Sequence, residues 1–117
     1  MIDVIESEVI SIITKAIDLQ ARDIHFFWSV GRIEIIYRTG INVDRYHFIH
    51  LSMYKLILKY IKKNAKLKQV NFCMIDGTIT FIINQKKVDF KVDILIDRKH
   101  EHLILRKVID SPLKVIE

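Results

Sequence analysis

ARDIHFFWSVGRIEIIYRTG, residues 21–40, contains two short apolar segments separated by residues 29–31. In each segment every second residue is apolar, namely Ile24, Phe26 and Trp28 in the first and Ile33, Ile35 and Tyr37 in the second. A period of two places these side chains on one face of a β-strand. The stretch therefore predicts a β-hairpin with one face buried and the other partly exposed, ending at Gly40.

The segment before this hairpin has the spacing of an amphipathic helix. Its apolar residues recur three and four positions apart: Ile2, Ile5, Val9, Ile12, Ile13, Ala16 and Ile17. Asp3 followed by Glu6 resembles a capping box, in which the two side chains satisfy free backbone N–H groups. We therefore expect a helix over residues 3–20.

A second helix is predicted in the middle of the chain. Apolar residues again recur there at helical spacing: Ile49, Met53, Leu56, Ile57, Tyr60 and Ile61. The other face of this helix and the residues after it are basic: Lys55, Lys59, Lys62, Lys63, Lys66 and Lys68. A solvent-exposed face is the ordinary explanation of such lysines. The same pattern also suits a nucleic-acid backbone, an anionic lipid or an acidic partner.

The rest of the chain is rich in β-forming residues. Its four apolar segments are VNFCMI (70–75), TITFIIN (78–84), VDFKVDILI (88–96) and HLILRKVI (102–109). Asp76-Gly77 between the first two is a strong hairpin signal. The remaining connections are also short enough for antiparallel pairing. The sequence thus predicts a single α+β domain over residues 1–117, in which one six-stranded antiparallel sheet carries two helices.

Composition narrows the class of protein further. A chain of 117 residues that is 50% hydrophobic, with three glycines and one proline, suits one ordered domain rather than a disordered segment. The single cysteine, Cys73, which we expect in the core, excludes an internal disulfide and a multi-cysteine zinc site. The N-terminal segment has acidic residues where an export signal needs basic ones. We therefore expect a cytoplasmic protein.

Several residues of the predicted elements match the motifs of a known family. They are Ala21, Asp23, Ile24, His25, Arg38, Gly40, Ala65, Leu67, Asp76, Gly77, Glu101 and Arg106. In this order and spacing, the chain resembles the PAS-like N-terminal domain of the secretion ATPases that drive type II secretion, type IV pili and the competence pseudopilus. It is most similar to the competence branch. It departs from the family pattern where Ile36 and Lys91 replace arginines and where Asp93 replaces a serine.

The resemblance implies a non-catalytic domain of a homo-hexameric motor that couples ATP turnover to pilus or pseudopilus assembly, in competence DNA uptake or type II secretion. It implies that Arg38, and after it Arg32 and Arg106, contact nucleotide in the assembled ATPase, since guanidinium groups grip phosphate with paired hydrogen bonds. Asp23 and His25 would fix the corner between helix and strand.

The partners implied are the ATPase core of the same or a neighbouring subunit and an inner-membrane platform protein, at the cytoplasmic face of the membrane, with no direct contact to nucleic acid. ATP and Mg²⁺ would belong to the core, and this domain would bring no cofactor or metal of its own. The three glycines, Gly31, Gly40 and Gly77, cannot form a G-x-x-x-x-G-K-[ST] phosphate loop. Any ATPase activity would therefore reside in the parent protein.

A different class of function is also open. Asp76, Asp89 and Lys91 fit the loose pattern of a metal-dependent nuclease, in which two carboxylates hold Mg²⁺ and a lysine steadies the phosphate. In that alternative the chain is a small, stand-alone, basic protein that binds or cleaves nucleic acid. Its net charge of +5 is compatible with such a role but identifies no partner.

Overall fold

The computed structural model describes residues 3–108, except for the side chains of residues 45 and 46. Its elements in chain order are α1 (Val4–Asp18), β1 (Asp23–Ser29), β2 (Arg32–Thr39), β3 (Asn42–His50), α2 (Leu51–Asn64), β4 (Lys66–Asn71), β5 (Met74–Ile83), β6 (Lys86–Asp97) and β7 (His100–Lys107). The strands form one antiparallel sheet in the order β3-β2-β1-β7-β6-β5-β4. The predicted class, α+β with two helices and one antiparallel sheet, is confirmed. The predicted count of six strands is wrong, because the described residues form seven.

The first helix and the opening hairpin lie where the sequence predicts them. The helix α1 starts after Asp3, whose carboxylate accepts a hydrogen bond from the backbone N–H of Ile5 at 2.8 Å. Strands β1 and β2 pair from Asp23 with Arg38 to Ser29 with Arg32, joined by a two-residue turn. Ile2 and Ile109, expected in the first helix and the last strand, lie outside the described residues.

The strand that the sequence did not predict is β3. Its pairing with β2 contains a register shift between Ile35 and Ile36, so the alternation of side chains is interrupted there. Ile49, which has helical spacing to Met53, instead ends this strand and is buried opposite Ile33. The helix α2 begins one residue after His50, whose ring nitrogen Nδ1 accepts from the backbone N–H of Ser52 at 3.2 Å.

The expected hairpin turn at Asp76-Gly77 is also wrong. Both residues lie inside β5, and the turn between β4 and β5 is formed by Phe72 and Cys73. A Cβ atom on Gly77 would come within 1.8 Å of the backbone oxygen of Lys66, so glycine is required for the close approach of the two strands. Cys73 is exposed rather than in the core, because the apolar segment around it folds back on itself.

The core lies between the two helices and one face of the sheet. The largest fully buried side chains come from both helices and from strands β1, β2, β6 and β7: Tyr37, Tyr54, Phe90, Ile13, Ile24, Ile33, Ile35, Ile57, Ile61, Ile94, Leu103 and Leu105. The helices contact each other and the sheet. The second face of the sheet, called the open face below, carries the alternate residues of each strand. Within residues 3–108, neither helix has the length and apolar character needed to span a bilayer.

The sheet is partly split between β1 and β7. These strands pair only where Asp23, Ile24 and His25 meet Arg106, Leu105 and Ile104. Beyond that point two side chains supply hydrogen bonds to β7. The hydroxyl of Tyr54 donates to the carbonyl oxygen of Glu101 at 2.5 Å and accepts from the N–H of Leu103 at 3.0 Å, while the indole N–H of Trp28 donates to the same carbonyl at 3.3 Å. The split is thus bridged from the helix side.

Candidate functional site

Strand register brings charged residues into one line across the open face. Asp23 of β1 lies opposite Arg38 of β2 on one side and opposite Arg106 of β7 on the other. Arg106 in turn lies opposite Lys91 of β6. Directly opposed residues of an antiparallel pair share a face, with Cβ atoms about 4.5–5.5 Å apart. We call these four residues, Arg38, Asp23, Arg106 and Lys91, the charged row.

Asp23 lies between the two arginines of this row. Its Oδ1 atom lies 3.5 Å from Nε of Arg38 and 3.2 Å from Nε2 of His25. These contacts are within ion-pair range but lack the geometry of hydrogen bonds. The Arg38 side chain stays 49% exposed, so the carboxylate orients the guanidinium without covering it. That Asp23 fixes the corner between helix and strand stays a prediction.

His25 lies on the open face beside Asp23, and its side chain is only partly exposed. Burial lowers its pKa, an effect that the Asp23 carboxylate partly opposes and that the charges of Arg38 and Arg106 reinforce. The neutral imidazole is therefore favoured in the folded protein. A neutral ring can accept as well as donate a hydrogen bond, which a surface cation cannot.

Arg106 has a second carboxylate beside it. Its Nη1 atom lies 3.6 Å from Oδ2 of Asp93, a buried side chain, while the Arg106 side chain itself remains 57% exposed. Asp93 lies opposite Asp76. The charged row therefore holds two half-exposed arginines, each fixed by a less exposed aspartate.

Arg32 is not part of this group. It lies on the same strand as Arg38 but six residues away, which is about 20 Å in an extended strand. Its guanidinium carbon sits 3.7 Å from the centre of the Phe48 ring, a cation–π contact. The structure thus brings together two of the three arginines expected to contact nucleotide and holds the third elsewhere.

The remaining motif residues have structural positions. Gly40 lies in the turn between β2 and β3 with φ of 72°, a conformation that glycine adopts without strain. Glu101 lies on the helix side of the sheet, with Oε1 2.5 Å from Nζ of Lys62. Asp76 and Gly77 are inside β5. These residues do not converge with the charged row on one site.

A shallow groove adjoins Arg38 on the open face. Its lining residues are His25, Phe27, Ile36, Arg38, Gly40, Ile41 and Val43. Most of them are apolar and several are exposed, including Phe27 and Val43. Ile36 contributes to this apolar surface. The groove thus offers a partner an apolar contact directly beside a guanidinium.

The residues of the nuclease alternative do not form one group. Asp89 accepts a hydrogen bond from the Thr80 hydroxyl at 2.6 Å, whereas Asp76 lies opposite Asp93. Because Asp89 and Asp93 are four residues apart on β6, Asp76 and Asp89 are separated by about 13 Å. Oxygen ligands of one Mg²⁺ ion must all lie about 2.1 Å from it. The two carboxylates therefore cannot share an ion in this fold.

Two aromatic residues have larger roles than the sequence indicated. Tyr54 lies next to the first lysine of the basic stretch in the sequence, yet it is fully buried and its hydroxyl pairs with two backbone groups of β7 beside the split in the sheet. Trp28 stacks on His100 with ring centres 4.0 Å apart. The only available signal was that Tyr54 shares a helix face with Ile57 and Ile61.

Comparison with known proteins gives no assignment. The sequence matches no protein-family model and no curated protein. The case for a function consequently rests on the quoted motif residues and on the geometry of the charged row.

Proposed function

We propose that this chain is the N-terminal domain of a hexameric secretion ATPase and contacts nucleotide that the ATPase core of the same or a neighbouring subunit holds. The observation that supports this proposal best is the charged row. Asp23 lies between Arg38 and Arg106, and both arginine side chains stay about half exposed on an open sheet face.

The chemistry of the row suits a phosphate group. Guanidinium stays charged at every physiological pH and forms paired hydrogen bonds with phosphate oxygens. A pre-oriented arginine also loses less side-chain entropy on binding than a freely rotating one. In this proposal Arg38 and Arg106 contact the phosphate, while Asp23 and Asp93 position them, and Arg32 has no part in the contact.

The domain itself carries out no catalysis in this scheme. ATP and Mg²⁺ are bound by the core, and nucleotide turnover moves the sheet domain as a rigid arm. The movement is passed to an inner-membrane platform protein that adds or removes pilin subunits, in competence DNA uptake or in type II secretion. The domain then works at the cytoplasmic face of the membrane.

The experiment has two stages. Reading the coding sequence beyond codon 117 should show a G-x-x-x-x-G-K-[ST] phosphate loop in the same frame. In the protein encoded by the whole frame, Arg38→Gln and Arg106→Gln should each lower the ATPase rate about tenfold or more, because each removes a charge-assisted hydrogen bond to phosphate. Melting temperatures should stay within a few degrees of the unsubstituted protein.

Arg32→Gln is the matched control, since it removes the same group from the same strand face. It should leave the ATPase rate unchanged. An equal loss of rate in the Arg32 and Arg38 variants would contradict the assignment to the charged row. A frame that encodes no phosphate loop would contradict the motor proposal as a whole.

A nuclease receives less support from the same geometry. Incubated with labelled DNA and Mg²⁺, the chain should leave the DNA intact, and Asp89→Ala should change nothing. Cleavage that disappears in this variant would favour the nuclease over the motor domain.

A further inference from the structure

Three hairpin turns come together at one end of the sheet. They are Val30–Gly31 between β1 and β2, Phe72–Cys73 between β4 and β5, and Arg98–Lys99 between β6 and β7. We call these turns the tips.

Three observations place the tips side by side. The sheet order puts β7 and β6 between β1 and β5, so the basic tip lies between the other two. Trp28 before the first turn stacks on His100 after the third. Met74 pairs with Leu95, so the second turn ends level with the last residues of β6. At about 4.8 Å per strand, the line of tips is roughly 15–25 Å long.

The outer tips are apolar and exposed, and the middle one is basic. Val30 is 100% exposed and Phe72 is 88% exposed. Arg98 and Lys99 between them are exposed cations. The order along this edge is therefore apolar, basic, apolar.

The backbone of each tip is a short turn between paired strands. In each turn, two residues connect the last and first paired residues of neighbouring strands. The side-chain oxygen of Asn71 accepts from the N–H of Cys73 at 2.7 Å, and the Cys73 carbonyl accepts from the N–H of Ile96 at 2.7 Å. The Phe72 ring is thus presented outward by a hydrogen-bonded turn.

Charge at this end favours an anionic partner. Besides Arg98 and Lys99, Arg32 lies at the start of β2, next to the first turn. The nearby acids are Asp97 and Glu101, and Glu101 is already paired with Lys62. The surface therefore combines a net positive charge with separate apolar tips.

We propose that the tips dock on an anionic lipid bilayer, with Val30 and Phe72 entering the headgroup region and Arg98 and Lys99 contacting lipid phosphates. Apolar side chains inserted at the boundary between headgroups and acyl chains, together with cations near anionic lipid, are the two contributions that hold peripheral proteins on membranes. A nucleic acid would use the cations but offers no apolar medium for Val30.

The opposite end of the sheet is less suited to a flat surface. It also carries an exposed apolar turn residue, Ile41, and a basic pair, Lys86 and Lys87. However, Ile41 lies in the turn between β2 and β3 whereas the two lysines begin β6, so that β1 and β7 lie between them. The chain enters β1 and leaves β7 in this gap. This end therefore supplies matched control residues rather than a second surface.

This inference does not depend on the proposed function. The charged row lies about six residues, or roughly 20 Å, from the tips along β1. With the tips on a bilayer, the strands would stand upright and the row would remain accessible to another domain. Failure of lipid binding would accordingly leave the nucleotide contact untouched, and the reverse also holds.

The experiment is co-sedimentation of the full chain with vesicles of phosphatidylcholine alone or of three parts phosphatidylcholine to one part phosphatidylglycerol. We expect binding to the mixed vesicles that weakens as salt is raised, and little binding to the neutral ones. The double substitution Arg98→Gln with Lys99→Gln should lower the partition coefficient about 25-fold, since each cation near the surface contributes about fivefold. Lys86→Gln with Lys87→Gln removes the same charge and should lower it less than threefold.

A second pair of variants tests the apolar tips. Phe72→Ser should lower the partition coefficient about tenfold, and Ile41→Ser, at the opposite end, should have little effect. Equal losses in the two basic pairs, or full binding by the Phe72 variant, would overturn the docking surface. Binding to labelled DNA with none to the mixed vesicles would also overturn it and would assign the basic tip to nucleic acid.

Discussion

Replacing Tyr54 by phenylalanine should destabilise the domain by removing one oxygen atom. The Tyr54 hydroxyl accepts from the buried N–H of Leu103 at 3.0 Å and donates to the carbonyl of Glu101. Phenylalanine would keep the ring contacts with Phe26 and Trp28, whose centres lie 5.8 and 5.9 Å away. The substitution therefore isolates the two hydrogen bonds by which Tyr54 of α2 pairs with backbone groups of β7 beside the split.

The expected loss follows from which groups remain unpaired. The Glu101 carbonyl keeps the indole N–H of Trp28 as a donor, but the Leu103 N–H loses its acceptor in a site closed to water. A buried donor left unsatisfied costs about 1–3 kcal/mol. We therefore expect a loss of about 2 kcal/mol in the free energy of unfolding, or about 8 °C in melting temperature for a domain of this size.

The pH dependence of the free energy of unfolding tests the role of Tyr54 independently. Burial raises the pKa of Tyr54 well above its usual value. The unfolded chain loses the phenolic proton above about pH 10, while the folded protein retains it, so this tyrosine's contribution to stability is complete below pH 10 and declines above it. The phenylalanine variant has no such decline. The stability difference between the two proteins should therefore narrow as the pH rises past about 10.

Urea unfolding followed by circular dichroism, near neutral pH and above about pH 10, measures both effects. Tyr60→Phe on the same helix is the control, since Tyr60 is only partly buried, and it should cost less than about 0.5 kcal/mol. A loss below about 1 kcal/mol for Tyr54→Phe, or a difference that stays constant with pH, would refute the bridging role.

Three further predictions concern the backbone and the open face. Val30 is β-branched at φ of 29°, so Val30→Asn should relieve strain and raise stability by about 1 kcal/mol in urea unfolding; a destabilised variant would contradict this. Gly77→Ala, which places Cβ against the Lys66 carbonyl, should cost about 2–4 kcal/mol and speed amide exchange in β4, whereas Gly40→Ala, without a clash, should cost only about 1 kcal/mol. The pKa of His25 is lowered by burial, so its contribution to stability is complete above about pH 6.5 and is lost as the pH falls; His25→Gln should flatten this part of the stability profile measured by urea unfolding.

The spacing of apolar residues was sufficient to predict the first hairpin and α1. The alternation in residues 21–40 placed Ile24, Phe26 and Ile35 in the core, and all three are buried. Helical spacing and an acidic cap located α1 to within two residues at its C-terminus. Each of these signals depends on neighbours a few positions away, and a single sequence contains that information.

The failures occurred where a non-local contact overrides the local signal. Asp-Gly favours a tight turn in isolation, but Gly77 is needed inside β5 because the Lys66 carbonyl lies where a side chain would be. In β3 the register shift removes the alternation by which a strand is recognised. Ile49 satisfied the helical period by coincidence and is buried against β2.

The candidate site was only partly predictable for the same reason. Arg38 and Arg32 have the same local pattern on one strand face, and the alternation of residues alone does not distinguish them. The fold does, because β1 and β7 place Asp23 and Arg106 in line with Arg38 and leave Arg32 over Phe48. Strand order and register therefore determine which arginine lies in line with a second arginine. This is why Arg32→Gln, rather than a substitution elsewhere on the surface, is the sharpest control for Arg38→Gln.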